Sequence, residues 1–244
     1  MVRLTYYTDP ACPWSWAAEP ALRRLQMEFG EDVRITYVMA GMARRVDDPL
    51  QLLDATLDAA AWSGMPADPR IWRERPPKST YPAGQAVKAA AEQQLDGPYL
   101  RVLREAIMCR RRPMDSADAL VDAAHEIDAL DVARFEIDLR SHAIVEAFGS
   151  DLERARGREL PTFVLEEEGH EVSGKVAPDA LAPGRERPVG EVLERFGVVA
   201  AAEVAACCDQ PLARAQAELW QLASQWRARP EPIGGFGELW LPTA

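Results

Sequence analysis

Histidine occurs three times and cysteine four times in the 244 residues of this chain. His125, His142 and His170, with Cys12, Cys109, Cys207 and Cys208, fall into no metal-ligand spacing, which argues against a zinc site. No apolar run approaches the roughly 20 residues of a membrane span. The opening Met1-Val2-Arg3-Leu4-Thr5-Tyr6 lacks the apolar core of a signal peptide and enters a strand pattern at once. These absences lead us to expect a cytoplasmic protein, no membrane partner, and four free thiols in reducing surroundings. Positive charge is also scarce. Lys and Arg number 28 against 39 Asp and Glu, a net charge of −11 with a pI near 4.9, which speaks against nucleic acid or an anionic membrane as principal partner.

What is present is concentrated in Thr8-Asp9-Pro10-Ala11-Cys12-Pro13-Trp14-Ser15-Trp16. An apolar and aromatic strand, Val2 to Tyr7, leads into it, and a helix through Ala17 to Leu25 leads out. A cysteine at the start of a helix meets unpaired N–H groups and partial positive charge, which favour thiolate and lower the pKa from about 8.5. Pro13 suits the first helical turn, where its missing N–H costs nothing. Far along the chain, Glu159-Leu160-Pro161-Thr162-Phe163-Val164-Leu165 sets a proline directly before a strand, where proline is tolerated and a cis bond has a place.

Between these two pieces, Glu31 to Met39 reads as a strand parallel to the first, and Gly41-Met42 ends it. From about Asp48 to Asp151 the pattern is helical: Leu50–Trp62, Ala83–Leu95, Tyr99–Cys109, Ser116–Leu130, Asp131–Ser141 and a short helix near Leu152–Arg156. Five prolines between Met65 and Pro82 make that connection irregular. Phe163–Glu166 and Glu171–Gly174 read as a hairpin turning at Glu167-Glu168-Gly169-His170, and Pro178–Leu181 as a last short helix. After a linker at residues 182–188 come helices at Val192–Phe196, Ala201–Cys207 and Leu212–Ser224, then strands at Trp226–Ile233 and Glu238–Leu241 around Gly234-Gly235-Phe236-Gly237. This order resembles a small winged-helix module. From Glu191 onward seven carboxylates face four arginines, leaving −3, so we expect protein recognition there and not DNA binding.

The cysteine turn joined to Leu160-Pro161-Thr162 resembles the thioredoxin superfamily, and within it the DsbA-like branch, especially cytoplasmic FrnE-type proteins. The resemblance implies an α/β fold: a thioredoxin-like domain over residues 1–187 with a helical insertion at about 48–151, followed by a winged-helix-like module at 188–244. It implies a nucleophilic Cys12 supported by Ser15, with Pro13, Trp14, Pro161 and Thr162 contacting substrate. Most redox-active relatives have Cys-Pro-Trp-Cys, whereas Ser15 stands here at the last position. A single thiol cannot resolve its own mixed disulfide. The expected activity is therefore a monothiol disulfide oxidoreductase or isomerase acting on a disulfide- or thiol-containing protein or peptide. It would bind no cofactor and be released by glutathione or another small thiol. Two alternatives are a glutathione-dependent transferase or isomerase of the kappa-class type and a redox-inactive protein adaptor. Cys109, beside Arg110-Arg111-Arg112, reads as an ordinary helical residue rather than a resolving thiol, and adjacent Cys207 and Cys208 as structural.

Overall fold

The computed structural model describes residues 1–167 and 169–243; Glu168, in the expected hairpin turn, and Ala244 lie outside it. Strand β1 (Val2–Thr8) runs into helix α1 (Pro13–Ala17), which breaks at Ala18 before α2 (Glu19–Phe29) returns the chain to β2 (Val33–Met39). The pairing of β1 with β2 is parallel, Val2 opposite Val33 through Thr8 opposite Met39, as a β-α-β crossover requires. The helical segment follows: α3 (Pro49–Ser63), α4 (Ile71–Glu74), α5 (Tyr81–Ala91), α6 (Asp96–Met108), α7 (Ala117–Ala124), α8 (Val132–Leu139) and α9 (His142–Ala155). Then β3 (Thr162–Leu165) and β4 (His170–Ser173) complete a sheet of order β2-β1-β3-β4, with β3 antiparallel to both neighbours.

Helix α9 is a full fourteen-residue element where the sequence reads only a short helix near its end. Its start is fixed by Ser141, whose side chain accepts from the Ile144 N–H, an N-cap that holds despite Gly149 in the interior. The helix expected at Pro178–Leu181 does not form, and these residues make turns. Gly41, just past β2, lets α5 and α9 approach: a Cβ there would lie 2.5 Å from a Leu152 methyl and 2.9 Å from the Tyr81 ring.

The C-terminal segment comprises α10 (Val189–Phe196), β5 (Val199–Ala200), α11 (Ala201–Cys207), α12 (Leu212–Ser224), β6 (Ala228–Pro232) and β7 (Glu238–Pro242). Its strands form a second antiparallel sheet, β5-β7-β6. Val192, Leu193, Val204, Leu219 and Trp240 make a small core of their own, while Ala200, Ala202, Ile233 and Leu239 join the main one. The main contact between the two parts is α11 against α2.

That contact is charged as well as apolar. Glu203 of α11, fully buried, accepts from both terminal nitrogens of Arg101 at 2.6 and 3.0 Å and from Arg23 Nε at 3.4 Å. Its other partner is the Ala200 N–H at the start of its own helix, at 2.6 Å. Arg101 also pairs with Glu19 at 3.0 Å and Glu105 at 2.7 Å, and Arg104 pairs with Glu19. Each buried charge thus has an opposite partner, the condition under which burial is tolerated. Burial alone would raise the Glu19 carboxyl, but Arg104, Arg101 and Arg23 outweigh it and hold it below the usual range.

Candidate thiol site

Cys12 is the N-cap of α1, with extended backbone and Pro13 directly after it. Its sulfur accepts from the Ser15 N–H at 3.4 Å and faces the Leu160 carbonyl at 4.0 Å. The Leu160–Pro161 peptide is cis, and Thr162 begins β3 with its hydroxyl donating to the Glu159 carbonyl at 2.7 Å. The fold therefore brings together Cys12, Pro13, Trp14, Ser15, Pro161 and Thr162, the residues singled out in the sequence. Trp14 is partly exposed, with Lys175 Nζ 4.9 Å over its ring and Trp62 of α3 edge-on at 6.1 Å. The Pro161 carbonyl accepts from Gly174 N–H at 2.9 Å, and Thr162 pairs on both sides, with Tyr7 and Ser173. A strand added at this loop would find those backbone groups already engaged.

Asp9 fixes the turn. Its carboxylate accepts from Ala11 N–H at 2.8 Å, Met42 N–H at 2.7 Å and the Thr80 hydroxyl at 2.8 Å, tying the cysteine turn to the end of β2 and the start of α5. Below the turn, Arg104 donates to the Tyr6 hydroxyl at 3.0 Å and to Thr8, and the Tyr6 hydroxyl donates to the Ser15 carbonyl at 3.3 Å. Nothing in the local pattern marks this cation in advance. Arg101 and Arg104 stand at helical spacing in α6, and their ion pairs with Glu19 of α2 and Glu203 of α11 hold them in the interior.

The protonation state of Cys12 departs from the expectation of a lowered pKa. The residue is 4% exposed, with α3 packed against α1 and Trp16 anchored to the Pro66 carbonyl at 2.9 Å. Burial pushes its pKa up, beyond what Ser15, through its side chain and N–H, and Arg104 can offset; the Asp9 charge adds to the rise. Ser15 Oγ is buried beside the sulfur and has no hydrogen bond of good geometry. A desolvated thiolate costs more than one helix start of five residues returns. The other cysteines lie elsewhere. Cys109 faces the Pro66 carbonyl at 3.4 Å, and Cys207 and Cys208 sit buried in and after α11. All four are free thiols, and burial raises the pKa of each.

Iodoacetamide should accordingly modify Cys12 in the native protein more slowly than a free thiol, with an apparent pKa above about 8.5. Labelling mapped by mass spectrometry against pH measures it, and a value at or below the free-thiol range would restore the nucleophile reading. Because the folded thiols hold their protons beyond the unfolded value, the linked stability is complete below about pH 8.5 and declines above it.

Among the described residues no group of three or more His, Cys, Asp or Glu is placed to hold a metal, and no helix is long and apolar enough to cross a membrane.

The family model described as thioredoxin matches residues 6–177. A curated relative, the ClpXP adapter protein SpxH of Halalkalibacterium halodurans, is 29% identical over 96% of this chain and 86% of its own length. Among solved structures, a candidate protein disulfide isomerase from Nitrosomonas europaea superposes with a TM-score of 0.65 at 16% identity, covering 80% of this chain and 97% of that one. The cytosolic disulfide reductase DsbM from Pseudomonas aeruginosa, solved with GSH, gives 0.59 at 21% identity, over 70% and 89%. These likenesses establish a DsbA-like thioredoxin fold with a helical insertion.

Proposed function

The chain belongs to the thioredoxin family, and from that membership we propose that it serves as a protein adaptor, a ClpXP adapter like its curated relatives, and not as a disulfide-exchange enzyme. The observation that carries this reading is the setting of Cys12: 4% exposed behind α3 and without a second thiol at position 15. An oxidoreductase needs an accessible thiolate and a route for resolving the mixed disulfide. An adaptor needs neither. Residues 188–244 are then a winged-helix-like module held against the thioredoxin-like domain of residues 1–187 by the Glu203 ion pairs, so that both parts present one composite surface.

Two measurements separate this from its rivals. Insulin reduction with excess glutathione should match that of a Cys12→Ser variant within about twofold; a strongly Cys12-dependent rate would reinstate the monothiol enzyme or a glutathione-using relative of it. In cells lacking the protein, at least one other protein should persist severalfold longer in pulse-chase proteomics, with turnover restored equally by wild type and Cys12→Ser. Unchanged turnover throughout, or rescue that needs Cys12, would end the adaptor reading.

The monothiol reading keeps one supporting feature, the sulfur set between Ser15 N–H and the cis-proline loop, with Ser15, Pro13, Trp14, Pro161 and Thr162 as its catalytic and substrate surface. Glutathione would there be a co-substrate.

The C-terminal module is proposed to meet protein and not DNA. Arg214, the one cation of α12, stands 2.9 Å from Glu218, so the helix carries little net attraction for phosphates. Trp226 is 86% exposed and Trp220 also lies open, the kind of aromatic surface that protein recognition uses. Anisotropy titration with random duplex DNA should show no saturable binding below about 100 μM at physiological salt; tighter, steeply salt-dependent binding would overturn this.

A further inference from the structure

A cavity of about 810 Å³ opens between α2, α6 and β2, closed on one side by the link from α10 to β5. It is separate from the Cys12 turn and lies at the junction of the thioredoxin-like and C-terminal parts. Its volume is that of a ligand site. Half-buried Val33 and Ile35 of β2, Val102 of α6, Ile127, Phe196 and Val198 line the cavity, beside the mutually paired Glu19, Arg101, Glu105 and Arg110, whose charges are already neutralised. Half-exposed apolar side chains from separate places in the chain, gathered in one groove, leave area that an occupant could bury.

The charges at its two ends differ. At the Val33 end, Arg195 donates to the Gln26 carbonyl at 3.2 Å and lies over the Phe196 ring, with no carboxylate partner among the described residues. It reaches that end beside Gly30, whose added Cβ would stand 3.8 Å from an Arg195 terminal nitrogen. At the Tyr37 end, Asp96 opens α6 without a cation partner among the described residues, and the Tyr37 hydroxyl, which makes no hydrogen bond among them, sits against Gly97. Gly97 is required there, since a Cβ would come within 2.9 Å of the hydroxyl oxygen. Along the strand, Val33 and Tyr37 stand about 13 Å apart. An extended peptide has the same rise, so groups at the same spacing on it would reach both ends.

We propose that this groove binds an extended peptide segment of another protein, about five residues long, apolar in its middle, with a basic side chain facing Asp96 and Tyr37 and a carboxylate facing Arg195. The basic group would give Asp96 an ion-pair partner and donate to the Tyr37 hydroxyl, and the carboxylate would give Arg195 the partner it lacks. The apolar middle would cover Val33, Ile35 and Phe196. The occupant's being a segment of another protein rests on the adaptor reading; the peptide groove itself does not.

The test uses the full chain and fluorescein-labelled, end-blocked peptides read by anisotropy. Lys-Val-Ile-Val-Glu should bind saturably, and Gln-Val-Ile-Val-Gln about tenfold more weakly. Asp96→Asn and Arg195→Gln should each remove about threefold from the first peptide and leave the second unchanged. Arg195 lies at the surface, so its variant keeps the test valid should the Asp96 change perturb α6. Equal affinity for both peptides, no effect of either variant, or no saturable binding would each overturn the proposal. Because the probe reports on the groove alone, its failure would leave the turnover and insulin tests of the adaptor reading as they stand.

Discussion

Glu203→Ala should cost about 3–5 kcal/mol of stability, one of the largest losses available from a single side chain in this protein. The reason is what the change leaves behind. Arg101 is nearly fully buried and spends two of its nitrogens on Glu203, while Arg23 and the Ala200 N–H also converge on that carboxylate. Without it a guanidinium stays in the interior with only Glu19 and Glu105, which also serve Arg104 and Arg110. The loss should be concentrated at the α11–α2 contact, so amide exchange in α11 should accelerate more than in β1. Urea unfolding with and without the substitution gives the magnitude. The double change Arg101→Met with Glu203→Leu, which removes both charges, should recover most of it. A single-mutant loss under about 1 kcal/mol would mean that solvent reaches this contact and that the two parts separate readily.

The same cluster sets the acid limit. Glu19 is held below the ordinary glutamate range, so the stability it contributes is complete above about pH 4.3 and is lost as the pH falls through its lower folded value. Acid unfolding should therefore begin below about pH 4, and Glu19→Gln should abolish that part of the slope while lowering stability at neutral pH.

Much of the scaffold could be read from local pattern. The alternation in Glu31–Met39 and the strand before Cys12 indicate a parallel pair, which the structure contains over Val33–Met39, and Leu212–Ser224 forms as its periodicity indicates. Elements whose signal is short or interrupted escaped: β5 is two residues long, and α9 carries Gly149 inside it. The turn at Cys12 and Ser15 and the proline before β3 are local features, while their meeting in space followed from the family resemblance that joined them. The state of the thiol was not legible. Helix starts are local, but desolvation comes from α3 and the Met65–Pro69 connection, which reach the site only through the fold. Arg104 and Glu203 escaped for the same reason. Charged residues at helical spacing look solvated until other helices bury them.

Ser15→Cys should give Cys12 a partner thiol within the chain without opening the site to protein substrates. Ser15 Oγ is fully buried beside the sulfur, and its backbone N–H already contacts Cys12 at 3.4 Å, so the added thiol enters a space prepared by the turn. Wild type holds four free thiols. Treated with diamide, quenched and unfolded, it should still titrate four, whereas the variant should fall from five to three. Insulin turnover by the variant should stay within about twofold of wild type, because Cys12 remains buried behind α3, where a protein disulfide does not reach it. A variant that still titrates five thiols would show that position 15 does not face Cys12 as it does in Cys-x-x-Cys proteins. A variant that forms the disulfide yet leaves insulin turnover unchanged would show that α3, and not the missing thiol, keeps protein substrates away. The physical distinction is between resolution and access, and the thiol count reads the first while insulin reads both. On the adaptor reading, the Ser15→Cys change should leave the cellular turnover of other proteins unaltered, since that reading needs no thiol chemistry.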